Sequence, residues 1–440
     1  MTVSFTYPRV FRAKPLIELY LFRSKSAPLS LRLALFGTPS GGPEDTEHLY
    51  AMSVLGLLLS AAEHWEHVDL DTSHYLGFVD FNLFPDVSPN CSLLKSLNLT
   101  LNPDSDFYNF RMVDQLWLGS LVENATSLRK LTLSDLDDDI RTSFKNNRIA
   151  SLQLYDDDYG FPLPFVEDVF RLFPHLQHLD ITLGKTRVVE MFTISNQPSE
   201  LRSTTLKSLT VRIASRVVRF FISPILSSLQ LPSLASLELL IKRGLDFNIY
   251  SLMPSLETMF RQSSPSLQSF KIDGGRSLTS FQLLDILSWM PLLTDLSIHM
   301  IPTILHEGFL AQLTYIPGSN SPTYASDKFA SFVLLPHLKS LEIGINFEKN
   351  VEEFLPDMDS IIAMIESRIA LLIDESHDDN LVDKLSHLTV LISYFRDSSE
   401  HAWAEEFRAV LKKHLQKHMS QGFTCTVTLG EASSSCSWSA

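Results

Sequence analysis

The sequence predicts an α/β fold of the solenoid kind: an irregular horseshoe with parallel strands on the concave face and helices on the convex face. Three observations lead there. A six-residue phrase of aliphatic anchors recurs through most of the chain. A proline returns at a fixed place ahead of many copies. Within each copy, apolar and polar residues alternate with the period of a strand, whose successive side chains point to opposite faces.

The phrase is first clear at Leu94-x-x-Leu97-x-Leu99. It returns as Leu128-x-x-Leu131-x-Leu133, Ile149-x-x-Leu152-x-Leu154, Leu176-x-x-Leu179-x-Ile181 and Leu206-x-x-Leu209-x-Val211. Leu234-x-x-Leu237-x-Leu239, Leu267-x-x-Phe270-x-Ile272, Leu293-x-x-Leu296-x-Ile298 and Leu338-x-x-Leu341-x-Ile343 follow. The first anchors lie between 21 and 45 residues apart. Self-similarity at such a period marks a repeat architecture, and this phrase is the leucine-rich-repeat one. Such repeats stack into one continuous core and display long surfaces for holding other proteins. They point to binding rather than to catalysis.

The elements follow in order. Residues 15–23 read as a short helix, and Leu29, Leu31, Leu33 and Leu35 alternate as a strand. A Gly/Pro turn at 37–43 leads into a helix over 47–63, and Trp65, Val68 and Leu70 make a degenerate strand unit. Helices are expected at 112–124, 165–173, 217–229 and 280–290. Pro174, Pro232, Pro265, Pro291 and Pro336 each stand two residues before a first anchor. Proline cannot continue a helix and biases the residue before it toward extended backbone. Pro-x-Leu-x-x-Leu therefore reads as a helix stop joined to a strand start. Short leucine-rich repeats commonly carry an asparagine eight residues after the first anchor. Only Asn102 and Asn346 stand there, which favours long, uneven repeats with true helices.

The widest gap, between Leu293 and Leu338, holds a Pro, Gly, Ser and Asn-rich segment at 315–327, predicted as a loop. Beyond residue 350 the phrase fades. Residues 361–373 and 403–418 look helical, and 423–429 looks like a closing strand. The expected organisation is an N-terminal cap and first degenerate repeat over 1–64, a solenoid over 65–350, a helical cap with closing strand over 351–430, and a frayed tail over 431–440.

Bulk composition narrows the classes. The chain has 440 residues, 45% hydrophobic and 20% charged, enough apolar material for a long core. A net charge of −15 repels phosphate backbones, so no nucleic-acid partner is expected. Three cysteines, Cys91, Cys425 and Cys436, are too few and too scattered for a disulfide framework or a zinc site. That usage suits a reducing compartment. The first residues lack the apolar stretch of a secretory signal. The richest apolar run, 54–59, falls far short of the roughly 20 residues of a membrane span. The expectation is a cytoplasmic or nuclear protein with no membrane partner.

No constellation announces chemistry. His414 and His418 have the i, i+4 spacing of two metal ligands, but no Glu follows the first and no third ligand stands near. They read as a basic helix end, where cations favour the dipole. The glycines of 37–42 lack the Lys-Ser/Thr of a phosphate loop. GxGxxG, GxSxG and HExxH strings are missing. No enzyme, cofactor or metal is expected.

Partner binding is expected on the strand face opposite the buried anchors. The candidate residues there are Asp69, Asp71, Asn98, Tyr155, His178, Asp180, Arg212, Glu238, Asp273, His299 and Glu342. Asp135 and Asp156 open two acidic runs just past neighbouring strands and would form an acidic rim. With Asp295, Lys130 and Lys271 included, acids outnumber Lys and Arg on this face by nine to three. Such a face would steer a Lys/Arg-rich segment of a protein partner. Tyr155 is the aromatic anchor, since Tyr is enriched at binding hot spots. Clustered carboxylates also suit calcium, but the EF-hand spacing is missing.

The repeats resemble the leucine-rich-repeat region of fungal F-box proteins. LIELYLFRSKSAPLSLRL (residues 16–33) looks like the segment that follows the F-box in that group. LLSAAEHWEHVDL (58–70) looks like the next element, a helix leading through Trp into the first clear strand. The resemblance covers residues 5–429. It implies a substrate-recognition region of a cullin–RING (SCF) ubiquitin ligase, with no catalytic residue. The Leu-Pro-x-Glu-Leu/Ile start of the F-box itself is not found in this chain, so an SCF adaptor is expected as partner only if an F-box is supplied upstream. The alternative is a leucine-rich-repeat regulatory protein without a ubiquitin role, such as a GTPase regulator or sensor. Arg212 and Asn102 are of the residue types such activators use.

Overall fold

The structure is a computed structural model. It describes residues 2–6, 14–37, 46–75, 90–100, 120–134, 148–155, 163–183, 201–214, 219–242, 245, 249–263, 265–274, 279–300, 305, 307–314, 334–347, 357–369, 383–394, 399–420 and 422–431. The chain divides into two compact units, Met1–Leu206 and Lys207–Ala440. Both are α/β.

The first unit holds β1 (Thr2–Thr6), α1 (Lys14–Ser24), β2 (Leu29–Gly37), α2 (Thr46–Leu59), a 3-10 turn (Ala62–His64), β3 (Trp65–Tyr75), β4 (Ser96–Thr100), β5 (Lys130–Ser134), β6 (Ser151–Tyr155), α3 (Leu163–Leu172), β7 (His178–Leu183) and the two-residue β8 (Leu201–Arg202). Strands β1 to β7 lie side by side in sequence order, and each neighbouring pair is parallel. Register follows from the phrase. Leu31, Val68, Leu97, Leu131, Leu152 and Leu179 stand opposite one another, as do Leu33, Leu70, Leu99, Leu133, Leu154 and Ile181. All twelve are buried. A slip of one residue would turn each set of leucines to the polar face, so the alternation fixes the pairing. Each such side chain contributes roughly 1.5–3 kcal/mol by leaving water.

In six phrases the first anchor closes a turn. Leu94, Leu128, Leu176, Leu234, Leu293 and Leu338 donate their N–H to the carbonyls of Cys91, Ala125, Phe173, Leu231, Met290 and Leu335 at 3.0–3.3 Å. Each acceptor lies three residues back and is itself buried. Pro174, Pro232, Pro291 and Pro336 occupy the second position of this turn, which favours proline's fixed φ. The strand-start prolines are thus corner residues. Past the corner, two successive N–H groups share one carbonyl of the preceding repeat. Gln268 and Ser269 both donate to Ala235 O, and Thr294 and Asp295 both donate to Gln268 O, at 2.8–2.9 Å.

The second unit holds β9 (Ser208–Ile213), α4 (Arg219–Ser228), β10 (Leu229–Gln230), β11 (Ser236–Ile241), a 3-10 turn (Ile249–Leu252), α5 (Met253–Ser263), β12 (Ser269–Asp273), α6 (Ser280–Ser288), β13 (Asp295–Met300), α7 (Glu307–Leu313), β14 (Ser340–Asn346), α8 (Met358–Ile369), β15 (His387–Tyr394), α9 (Ser399–Met419) and β16 (Thr424–Glu431). Its strands run β9-β11-β12-β13-β14-β15-β16, all parallel. Thr279 caps α6 in a reciprocal box: its hydroxyl accepts from Gln282 N at 3.3 Å, and its N–H donates to Gln282 Oε1 at 2.9 Å. Helix α9 buries Trp403, Phe407, Leu411 and Leu415 at i, i+4 steps. Trp403 stacks on Phe407 with centroids 5.1 Å apart.

One buried residue breaks the apolar rule. Arg368 of α8 is 1% exposed, and no carboxylate faces it among the described residues. Its Nε donates to Leu313 O at 2.7 Å, Nη1 to Leu335 O at 3.0 Å and Nη2 to Leu334 O at 2.5 Å. A planar five-donor group suits three divergent carbonyls. Burial pulls its pKa down to about 10, which leaves it charged at neutral pH. Leu313 ends α7 and Leu334 opens the approach to β14, so one guanidinium ties together both sides of residues 315–333.

The expected strands and most expected helices are present. The helix expected at 112–124 falls largely outside the described residues, of which 120–124 are helical. The loop expected at 315–327 lies outside them entirely, as does the tail expected at 431–440 except Glu431, which ends β16. Six strands and helices were not anticipated: β1, β8, β10, α5, α7 and β15. Strand β15 carries a further copy of the phrase, Leu385-x-x-Leu388-x-Val390, in register with Leu341 and Ile343. Beyond residue 350 the phrase therefore does not fade; it returns after one long interval. Among the described residues, no helix is long and apolar enough to cross a membrane.

Candidate functional site

On each sheet, the residues between the buried anchors form lateral rows. In the first unit one row runs Arg32, Asp69, Asn98, Thr132, Gln153, Asp180 across six strands. Its members hold one another. Arg32 Nε lies 3.2 Å from Asp69 Oδ2, Asn98 Nδ2 donates to Asp69 Oδ1 at 2.9 Å, and Thr132 donates to Gln153 Oε1 at 2.8 Å. From the next row, Tyr155 OH donates to Asp180 Oδ2 at 2.9 Å. His67 Nδ1 meets Ser96 Oγ at 2.8 Å. His178 is exposed at the start of β7, opposite Ser151. Asp71 is half-buried opposite Thr100. Tyr155 is half-buried with its hydroxyl already engaged, so what it offers a partner is its ring.

The second unit carries a row Thr210, Glu238, Lys271, Ser297, Glu342, Thr389, and beside it Arg212, Leu240, Asp273, His299, Gly344. Three of the expected residues meet here. His299 Nδ1 lies 3.3 Å from Asp273 Oδ2, and its Nε2 lies 2.5 Å from Glu342 Oε1. Ser297 donates to the same Glu342 oxygen at 2.8 Å. The ring fits because Gly344 has no side chain; a Cβ there would lie 2.6 Å from His299 Cγ and Cδ2. His299 was expected to be exposed on this face and is instead 8% exposed, covered by its own carboxylate neighbours. Partial burial pushes the Glu342 carboxyl upward. Hydrogen bonds from Ser297 and His299, with the charges of His299 and Lys271, outweigh it and hold the group below its ordinary value. Asp273 Oδ1 is buried without a hydrogen-bond partner among the described residues. Arg212 and Glu238 sit half-buried on neighbouring strands β9 and β11.

Asp273, His299 and Ser297 are the residue types of a nucleophilic triad, with Ser297 Oγ 3.3 Å from His299 Nε2. The wiring differs from one. Glu342 takes both the Nε2 contact and the serine proton, so the imidazole is not free to act as base toward Ser297. The cluster is a hydrogen-bonded knot in which a histidine bridges two carboxylates. Asp135 and Asp156 lie outside the described residues. Among those residues, no group of three or more His, Cys, Asp or Glu is placed to hold a metal ion.

The sequence reading left out Arg32 and the lateral pairing. Arg32 stood in view as the polar residue of the alternating string LSLRLAL. Glu238 and Glu342 were expected only as outward-facing acids, and nothing in the sequence pairs Glu342 with His299 before the strand order is known.

No family model matches the chain, and no curated protein matches it. Among solved structures it matches the crystal structure of a Bacteroides fragilis protein, a structural-genomics target, at 12% identity. The match covers 97% of this chain and 73% of that one, with a TM-score of 0.30. At that score the two do not superpose as whole folds, and neither fold nor function is carried over.

Proposed function

We propose that this chain is a leucine-rich-repeat scaffold that binds a protein partner through its polar strand faces and catalyses nothing. The observation that carries the reading is the lateral row: each repeat adds one polar residue in register, so an extended partner would meet a regular series of polar groups. Asp71, Asp180, Glu238 and Glu342 are partly exposed on those rows, which favours a partner with a Lys/Arg-rich segment. The resemblance at residues 16–33 and 58–70 extends the proposal to the substrate-recognition role of fungal F-box proteins in SCF ubiquitin ligases, acting in the cytoplasm or nucleus. The adaptor would join through an F-box encoded upstream.

Capture of cross-linked partners from a native extract tests this. Partners should be rich in basic segments, and their capture should fall as salt rises. Replacing Asp71 and Asp180 by Lys in the first unit, and Glu238 by Lys in the second, should reduce recovery at least tenfold. Undiminished recovery by the charge-reversed chain would overturn the reading. The ligase role stands or falls separately, on whether an in-frame F-box lies upstream and brings down the SCF adaptor.

A further inference from the structure

Among the described residues the strand series of the second unit ends at β16, and up to its last residue, Glu431, that strand lacks the devices by which edges avoid new pairing. Among the described residues its ladder partner is β15 alone. Thr424 N–H donates to Ser386 O at 2.9 Å. By the two-residue period of a strand, Thr424, Thr426, Thr428 and Gly430 turn their peptide groups to β15. Cys425, Val427, Leu429 and Glu431 turn theirs outward. Natural edges carry charge, proline or a bulge. Residues 424–430, TCTVTLG, have no charge and no proline, and the register with β15 is unbroken over eight pairs. The apolar layer is also unfinished. Leu388, Val390 and Ile392 are each 1% exposed, whereas Cys425, Val427 and Leu429 beside them are only half-buried.

A second β16 completes this edge. Run antiparallel about a two-fold axis at Val427, it pairs Val427 with its own copy and Cys425 with the second copy's Leu429. Cys425, Val427 and Leu429 then fall at hydrogen-bonded positions, giving about six backbone hydrogen bonds. A two-fold normal to the sheet keeps apolar side chains on the apolar face and threonines on the other. Charge supplies a second argument. Helix α9 packs on β15 and β16. Its first half carries Glu400, Glu405 and Glu406 with one base, Arg408, paired to Glu405 at 2.8 Å, and its second half carries the exposed Lys412, Lys413 and Lys417. The same axis lays the two α9 helices antiparallel, acidic half against basic half. We propose that this chain forms a two-fold dimer by antiparallel pairing of β16 edges centred on Val427. The proposal is independent of the scaffold reading.

Sedimentation equilibrium of the full chain from about 1 to about 200 µM tests it, because small interfaces associate weakly. A monomer–dimer equilibrium is expected. Val427→Pro removes an N–H that faces outward and none that serves β15, so it should leave a monomer with an unchanged circular dichroism spectrum. Lys412→Glu with Lys413→Glu should weaken the dimer at least tenfold, and adding Glu405→Lys with Glu406→Lys should restore it; this set decides the matter if the proline variant misfolds. A monomer at every concentration, which would leave the edge to some other strand, overturns the proposal. So does a dimer that survives both sets of changes.

Discussion

Replacing Arg368 by Met removes the guanidinium and keeps an unbranched apolar stem in its place. Three hydrogen bonds from a charged donor are lost, each worth about 1.5–3 kcal/mol, and three carbonyls lose their partner. Some of that is returned. Holding the cation in a buried site lowers its pKa from 12.5 to about 10, and relief of that penalty recovers roughly 3 kcal/mol at 1.36 kcal/mol per unit. The net expectation is a loss of about 3 kcal/mol. Urea unfolding followed by circular dichroism should show a midpoint lowered by about 1 M. Hydrogen exchange should localise the effect, with amides of β14 losing protection while those of β4 keep theirs. Arg368→Lys, with one compact head group, should fall between the two. A Met variant within about 0.5 kcal/mol of the parent would refute the reasoning, because it would mean the three carbonyls find other donors or water at no cost.

Three further expectations come from the hydrogen-bonded knot and the caps. Glu342 has a folded-state pKa held below the ordinary 4.5, so its charge adds stability above pH 4.5 that is lost as pH falls through the folded value. Glu342→Gln should therefore unfold less steeply than the parent on acidification below pH 4.5, and equal acid profiles would reject this. Gly344→Ala should destabilise by about 1–3 kcal/mol through overpacking against His299; adding His299→Ala should cancel most of that loss in a double-mutant cycle of melting curves. Thr279→Ala should cost about 1 kcal/mol by opening the box at the start of α6, measured by thermal unfolding, with a change under a few tenths counting against the cap.

Strands were legible where alternation was strict. Ser96 to Thr100 and Ser151 to Tyr155 alternate half-buried and buried residues without exception, and period two is hard to mistake. Strand β15 was missed because its phrase follows the widest interval, although its anchors are as regular as any. Helix α5 was missed because MPSLETMFRQS mixes polar and apolar residues evenly; its stripe of Met253, Leu256, Met259 and Phe260 follows the three- and four-residue steps of a helix but is thin. The polar face was legible as a direction for each side chain. Its internal pairing was not, since Arg32 meets Asp69 across 37 positions of sequence and His299 meets Glu342 across 43. Such partners are set by which strands adjoin, a property of the assembled sheet.

Because β11 to β15 each fasten to the strand before through the same pair of peptide N–H groups, the second unit's fabric is indifferent to how many such rungs it contains. Ser208 and Ser269 both face Ser236, and Leu209 and Phe270 both face Leu237. Excising 236–268 would splice Ala235 onto Ser269 and leave Leu209 facing Phe270 with inside and outside unchanged. A gene built this way can lengthen or shorten its product by duplication or loss of a single rung, changing the reach of the molecule without retuning its interior.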